Sequence, residues 1–331
     1  GPHSPFATLL YPFYHFGLYG VQIFWGISGF IFYWKYAAAL TARTVEPARF
    51  FWLRFSRLYP LHFVTLLFVA AIQPIYFGLA GHTFVFGEYG PERFLLQLFL
   101  ADQWGGSHAM SFNGPIWSVS AEVFVYAAFF LLLRAFGRSP LIIFGAVAGG
   151  LWSMWSGAIS PALICGSYFF AGGAAAEWLG SDRATKRPVE TRLIAGFMTG
   201  AGAIVAIFAL IAHPSGPSDH AISTWLLVVI PPSLLLAAQD WRPLERWQRP
   251  IQAAGNLTYS TYLIHFPMQL ALVTFCVAAG VDPPVSAGWF LLAYLAASIV
   301  IGRVVFLGFE APAQRMIRAA TLTRRSGPVT A

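Results

Sequence analysis

The sequence predicts an all-α fold, a polytopic bundle of transmembrane helices. Composition is the first reason: of 331 residues 57% are hydrophobic and only 10% charged, where soluble domains carry about 25% charged residues. Second, apolar runs of roughly the 20 residues needed to cross a bilayer recur along the whole chain. Third, the basic residues fall in alternate loops, as the positive-inside rule requires. The 12 Trp and 13 Tyr suit the two water–lipid interfaces. The net charge of +7 belongs to the basic loops and gives no reason to expect a nucleic-acid partner.

Taken in order, the spans fall near 17–38, 59–79, 114–133, 140–157, 160–180, 193–212, 223–239, 257–279 and 287–309. Residues 94–104 are too short to span and read as an interfacial or re-entrant helix. All Lys and Arg except Arg93 and Arg303 collect on one side, which makes that side and the C-terminus cytoplasmic. The first visible span then runs from outside to inside. This orientation predicts an earlier helix before residue 1, with His3 at or just past its outer end. Residues 1–310 form the expected membrane domain and 311–331 a cytoplasmic tail. Gly145/Gly149 and Gly196/Gly200 are small-xxx-small pairs expected at close helix contacts. Cys165 and Cys276 lie in apolar runs and read as packing residues, with no metal-ligand spacing.

Few polar groups interrupt these runs, and each carries information. Glu122 lies about two turns into the helix that follows Gly114-Pro115. A carboxyl group at such depth costs about 2.5–3.5 kcal/mol on insertion scales, so a pocket, a partner or a reaction is expected to need it. Arg54 and Arg57 are three residues apart and share a helix face. They read either as anchors reaching the headgroups or as a fork for phosphates or a carboxylate. His265 sits with Tyr259, Ser260 and Tyr262 two residues before Pro267, as a hydrogen-bonded core residue or as the lining of a cavity. Gln22 is one polar group in a Gly-rich helix, and His62 is expected near the inner interface. An enzyme, a transporter using the same intramembrane groups and a non-catalytic scaffold all fit these residues alone.

Five stretches, in order, resemble the acyltransferase family 3 membrane proteins, bacterial O-acyltransferases that act on saccharides. They are GVQIFWGISGF at Gly20, RFSRLYPLHF at Arg54, NGPIWSVSAEVFVY at Asn113, LTYSTYLIHFP at Leu257 and LGFEAPAQRMIR at Leu307. Gln22 stands where many members carry Asp. The resemblance implies a core of about ten spans in the bacterial inner membrane. It implies transfer of an acyl group, most often acetyl, from acyl-CoA to a saccharide hydroxyl, with no tightly bound cofactor. His3 best matches the family's essential His, with His15 in reserve. An imidazole there serves as base or transient acyl carrier. Glu122 would orient it, Arg54 and Arg57 would hold donor phosphates, and Trp117, Ser118, Gln22, Tyr262 and His265 would line the substrate cavity.

Overall fold

A computed structural model describes residues 4–104, 110–212, 217–238 and 248–322. All regular elements among them are helical. Seven helical segments are long and apolar enough to cross a membrane, so the chain is a multi-pass membrane protein. Two more of the expected spans are present as helices of 16 and 19 residues, α6 (Pro140–Trp155) and α7 (Pro161–Leu179). Helix α7 is less apolar because it is an interior helix, built largely of Ala, Gly and aromatic residues and buried along most of its length.

The chain divides into two compact units. The first comprises residues 1–14, 45–120 and 243–331. Its long helix α3 (Pro47–Ala80) packs on α11 (Gln248–Ala279) and on α13 (Ala311–Leu322), while α11 also packs on α12 (Gly288–Val305). Thirty-four residues of α-helix are about 51 Å long, well beyond an apolar layer of about 30 Å. Arg54 and Arg57 therefore belong to the same continuous helix as the span expected at 59–79. The expected short helix is α4 (Pro91–Leu98), which ends in a turn with Leu100 in the left-handed region at φ 54°. Aromatic and aliphatic side chains fill the core here: Leu66, Val69, Tyr76, Phe112, Phe266 and Leu270.

The second unit holds residues 15–44 and 121–242. Its centre is the crossing of α2 (Gly20–Thr41) over α7, with α6 and α10 (Asp219–Ala237) packed on α7 and α9 (Pro188–Ala212) on α10. Serines start several of these helices by accepting a backbone N–H. Ser139 and Ser160 do so just before Pro140 and Pro161, and Ser218 caps α10. Phe32, Phe129, Phe169 and Phe170 interlock edge to face or tilted beside the crossing.

The close helix contact is made by glycines other than the expected pairs. A Cβ on Gly29 would lie 1.7 Å from the Phe169 carbonyl oxygen, and one on Gly172 only 1.9 Å from that of Gly26. Gly145, Gly196 and Gly200 have nothing within 4 Å of that position, and Gly149 meets only an ordinary contact with Leu163. Gly29→Ala or Gly172→Ala should each destabilise the protein by roughly 1–3 kcal/mol or more, because backbone cannot move aside as a side chain does. Gly145→Ala and Gly196→Ala should be neutral. Thermal unfolding of the four variants in detergent would check this.

Candidate active site

In the first unit the start of α5 (Ile116–Phe136) organises a cluster of polar groups. The chain enters through Phe112, held in the left-handed region at φ 41°, and turns at Gly114-Pro115. A side chain on Gly114 would run into the Phe86 ring. The Pro115 carbonyl accepts hydrogen bonds from Tyr262 Oη at 2.9 Å and from Ser118 Oγ at 3.2 Å, and the two hydroxyls are 2.7 Å apart. His265 Nδ1 lies 2.6 Å from the Tyr262 carbonyl, and Tyr294 donates to the His265 carbonyl at 2.7 Å. A carbonyl only accepts, so His265 Nδ1 carries a proton. Three of the predicted cavity residues, Ser118, Tyr262 and His265, are thus brought together, with half-buried Trp117 beside them on α5. A cavity of about 570 Å³ adjoins Tyr294, lined by Leu272, Val273, Phe290 and Leu291.

Beneath this cluster runs a buried polar chain that the sequence does not announce. Pro267 has no N–H, so the Leu263 carbonyl one turn earlier loses its helical donor. Asn113 Nδ2 donates to that carbonyl at 3.2 Å and to Thr65 Oγ1 at 3.0 Å. Thr65 donates in turn to the His62 carbonyl. His62 is completely buried, and its Nε2 lies 2.8 Å from the Gln97 carbonyl. Gln97 Nε2 donates to the Ser111 carbonyl at 2.5 Å, closing the path back to the entry of α5. The signal for Gln97 was its place inside an apolar short helix. Asn113 and Ser111 resemble ordinary loop residues.

The segment after α4 is tied to α5 as well. The Gln103 backbone N–H donates to Ser120 Oγ at 3.0 Å, and Trp104 Nε1 donates to the Ser120 carbonyl at 2.9 Å. Asp102 is buried there, with Oδ2 accepting from Gln103 Nε2. Burial pushes its carboxyl pKa above the usual value of 3.8, partly opposed by the Gln103 hydrogen bond.

Arg54 and Arg57 have different surroundings. Arg57 Nη1 pairs with Glu310 Oε1 at 2.6 Å and stacks over the Tyr259 ring, while Arg54 lies over Phe50. The Glu310 side chain is 1% exposed and also accepts from Ser260 and from Gln314 Nε2. It ends a π-turn, Phe306–Glu310, in which the Ala311 N–H bonds back to Phe306. Arg318 joins the set through Ser56 and Gln314.

The remaining described candidates belong to the second unit. Glu122, buried on α5, accepts from Tyr126 Oη at 2.5 Å one turn along, and the Tyr126 ring stacks on Phe32 at 4.2 Å. Gln22 Nε2 donates to Ser223 Oγ at 3.3 Å, and Tyr168 donates to the Ser223 carbonyl at 2.7 Å. At the start of α10, Tyr19 donates to Asp219. His3 lies outside the described residues.

The model of the family described as "Acyltransferase domain" matches residues 1–305 of this all-helical, multi-pass chain. The chain belongs to that family and is a membrane acyltransferase. It is similar to the acyltransferase MdmB of Streptomyces mycarofaciens, with 26% identity over 91% of this chain and 82% of that protein. No solved structure matches it. Membership favours an enzyme over the transporter and scaffold readings of the same polar residues.

Two outcomes follow from this geometry. Glu310→Ala leaves Arg57 without its buried partner and should cost about 3–5 kcal/mol, with part regained in the Arg57→Ala/Glu310→Ala double variant. Thermal unfolding of the single and double variants reads this. Asp102 binds its proton more tightly folded than unfolded. Its favourable contribution is therefore complete below 3.8 and lost as pH rises through the folded value. Asp102→Asn should gain stability relative to the parent across that rise and level off above it, as unfolding midpoints measured from pH 3 upward would show.

Proposed function

We propose that the protein moves an acyl group, acetyl in the first instance, from acyl-CoA to a hydroxyl of a cell-surface or exported saccharide. It would do so from the bacterial inner membrane, with its C-terminus cytoplasmic. Membership of the acyltransferase family over residues 1–305 carries this reading. The five motif stretches and the loop charges support its finer parts.

Such a transfer makes an ester and breaks a thioester. The acceptor oxygen attacks the thioester carbonyl carbon, its proton passes to a base, the carbon–sulfur bond breaks, and the thiolate leaves as a thiol after taking a proton. Imidazole is suited to both proton steps near neutral pH. In this proposal His3 is that group and Glu122 steadies its charged form, as the acid of a catalytic triad does. Arg54 and Arg57 hold the donor phosphates. A guanidinium has five N–H donors, so the Glu310 pair leaves Arg57 others to offer. Ser118, Tyr262 and His265 offer hydroxyl and ring groups to the acceptor, beside Trp117, and Gln22 takes the place of the family's Asp.

The test uses the full-length protein in membranes, labelled acetyl-CoA and the glycan fractions of the same cells. Label should enter alkali-labile ester. His3→Ala should lower the rate about 100-fold or more, and Glu122→Gln by a smaller factor. Unchanged ester formation in both variants overturns the assignment of the base.

A further inference from the structure

The chain of hydrogen bonds through His62 has a chemical asymmetry. The His62 ring donates through Nε2 to the Gln97 carbonyl, so in the neutral imidazole Nδ1 holds a lone pair. Gln97 spends its amide N–H on the Ser111 carbonyl and Asn113 spends its own on the Leu263 carbonyl. Those carbonyl partners also fix which end of each amide is nitrogen, since a flipped amide would set oxygen against oxygen. Three atoms are left over: His62 Nδ1, Gln97 Oε1 and Asn113 Oδ1. Each is buried and lacks a hydrogen-bond partner among the described residues. All three are acceptors. None of the side chains is more than 1% exposed, and all three are joined by the path through Thr65 and Ser111.

A buried acceptor left unfilled is costly, and native proteins satisfy such groups with water or a ligand. A group of acceptors whose donors are already used calls for a ligand that donates. That chemistry excludes phosphate and carboxylate. None of the three groups is a carboxylate, so none offsets the charge of a cation. A hydroxyl group or a water molecule meets the requirement.

We propose that this is the hydroxyl-binding site of the enzyme. His62 Nδ1 accepts a hydrogen bond from a buried water in the resting protein and from the hydroxyl of the acyl acceptor during turnover. This extends the acyl-transfer reading and rests on it. His62 holds the hydroxyl in place, and the proton leaves to the base already named.

Two measurements on the full chain test the site. In lipid vesicles with ¹⁵N-labelled histidine, the His62 signals are identified by their loss in His62→Gln. They should show a protonated Nε2 and an unprotonated Nδ1 that is hydrogen-bonded to an exchangeable proton. A protonated Nδ1, or one with no such bond, overturns the proposal. The second measurement exploits side-chain geometry. Gln at position 62 keeps the Nε2 donor and loses the Nδ1 acceptor, and Asn does the reverse. With labelled acetyl-CoA and cell extract as acceptor source, His62→Gln should unfold near the parent temperature. It should also need about tenfold more extract for half-maximal ester formation, the size of one hydrogen bond. Its half-saturation by acetyl-CoA should not change, and His62→Asn should recover part of the loss. A fully active His62→Gln beside an impaired His62→Asn would make Nε2 the important atom and overturn the assignment. Ester absent from the parent protein would instead overturn the acetyl-CoA reading, and the nitrogen spectrum would still decide whether the site holds a donor.

Discussion

The arrangement of the first unit depends on one hydrogen-bond debt inside a helix. Pro267 deprives the Leu263 carbonyl of its usual donor, and Asn113 supplies one from outside. That contact ties the entry of α5 to the middle of α11, beside the bond from Tyr262 to the Pro115 carbonyl. With the entry pinned, Pro115 presents its carbonyl to Tyr262 and Ser118, and Ser111 presents its own to Gln97. The proline thus acts less as a break in α11 than as the point where another segment docks.

The second unit is arranged by a different means. There α2 and α7 approach until backbone meets backbone at Gly29 and Gly172, and aromatic rings fill the space alongside. Dispersion between tightly fitted surfaces is the force available where lipid offers no hydrophobic gain. The buried Glu122 is accommodated within this unit by the hydroxyl of Tyr126, whose ring is itself held by Phe32.

The fold was legible because hydrophobic run length and loop charge both report on the bilayer. Glu122, Ser118, Tyr262 and His265 were legible because polar groups within apolar helices are conspicuous. Gln97 and Asn113 were harder. A polar residue in a loop looks solvated until the loop is known to fold inward, and the partners of Asn113 stand 48 and 150 residues away. The pairing of Arg57 with Glu310 spans 253 positions and has no local signature. The packing glycines were misread for a related reason: GxxxG spacing on an outward face looks the same in sequence as on an inward one. Gly29 and Gly172, with Gly26 opposite, are the ones that meet a neighbouring backbone at the α2–α7 crossing.

The π-turn at Phe306–Glu310 fits one more residue into a helical turn than an α-helix would hold. Successive residues of an α-helix differ by about 100° around its axis, so the extra residue sets the angular phase of everything after it. Gln314 and Arg318, one and two turns past Glu310, reach Glu310 and Ser56 in that phase. Removing a single residue from the turn before Glu310 would swing Glu310 and Arg318 together by about 100°, away from Arg57 and Ser56. The last helix is therefore keyed to the bundle by a count of residues as much as by their chemistry, and an insertion or deletion near Gly308 would be felt more sharply than a substitution there.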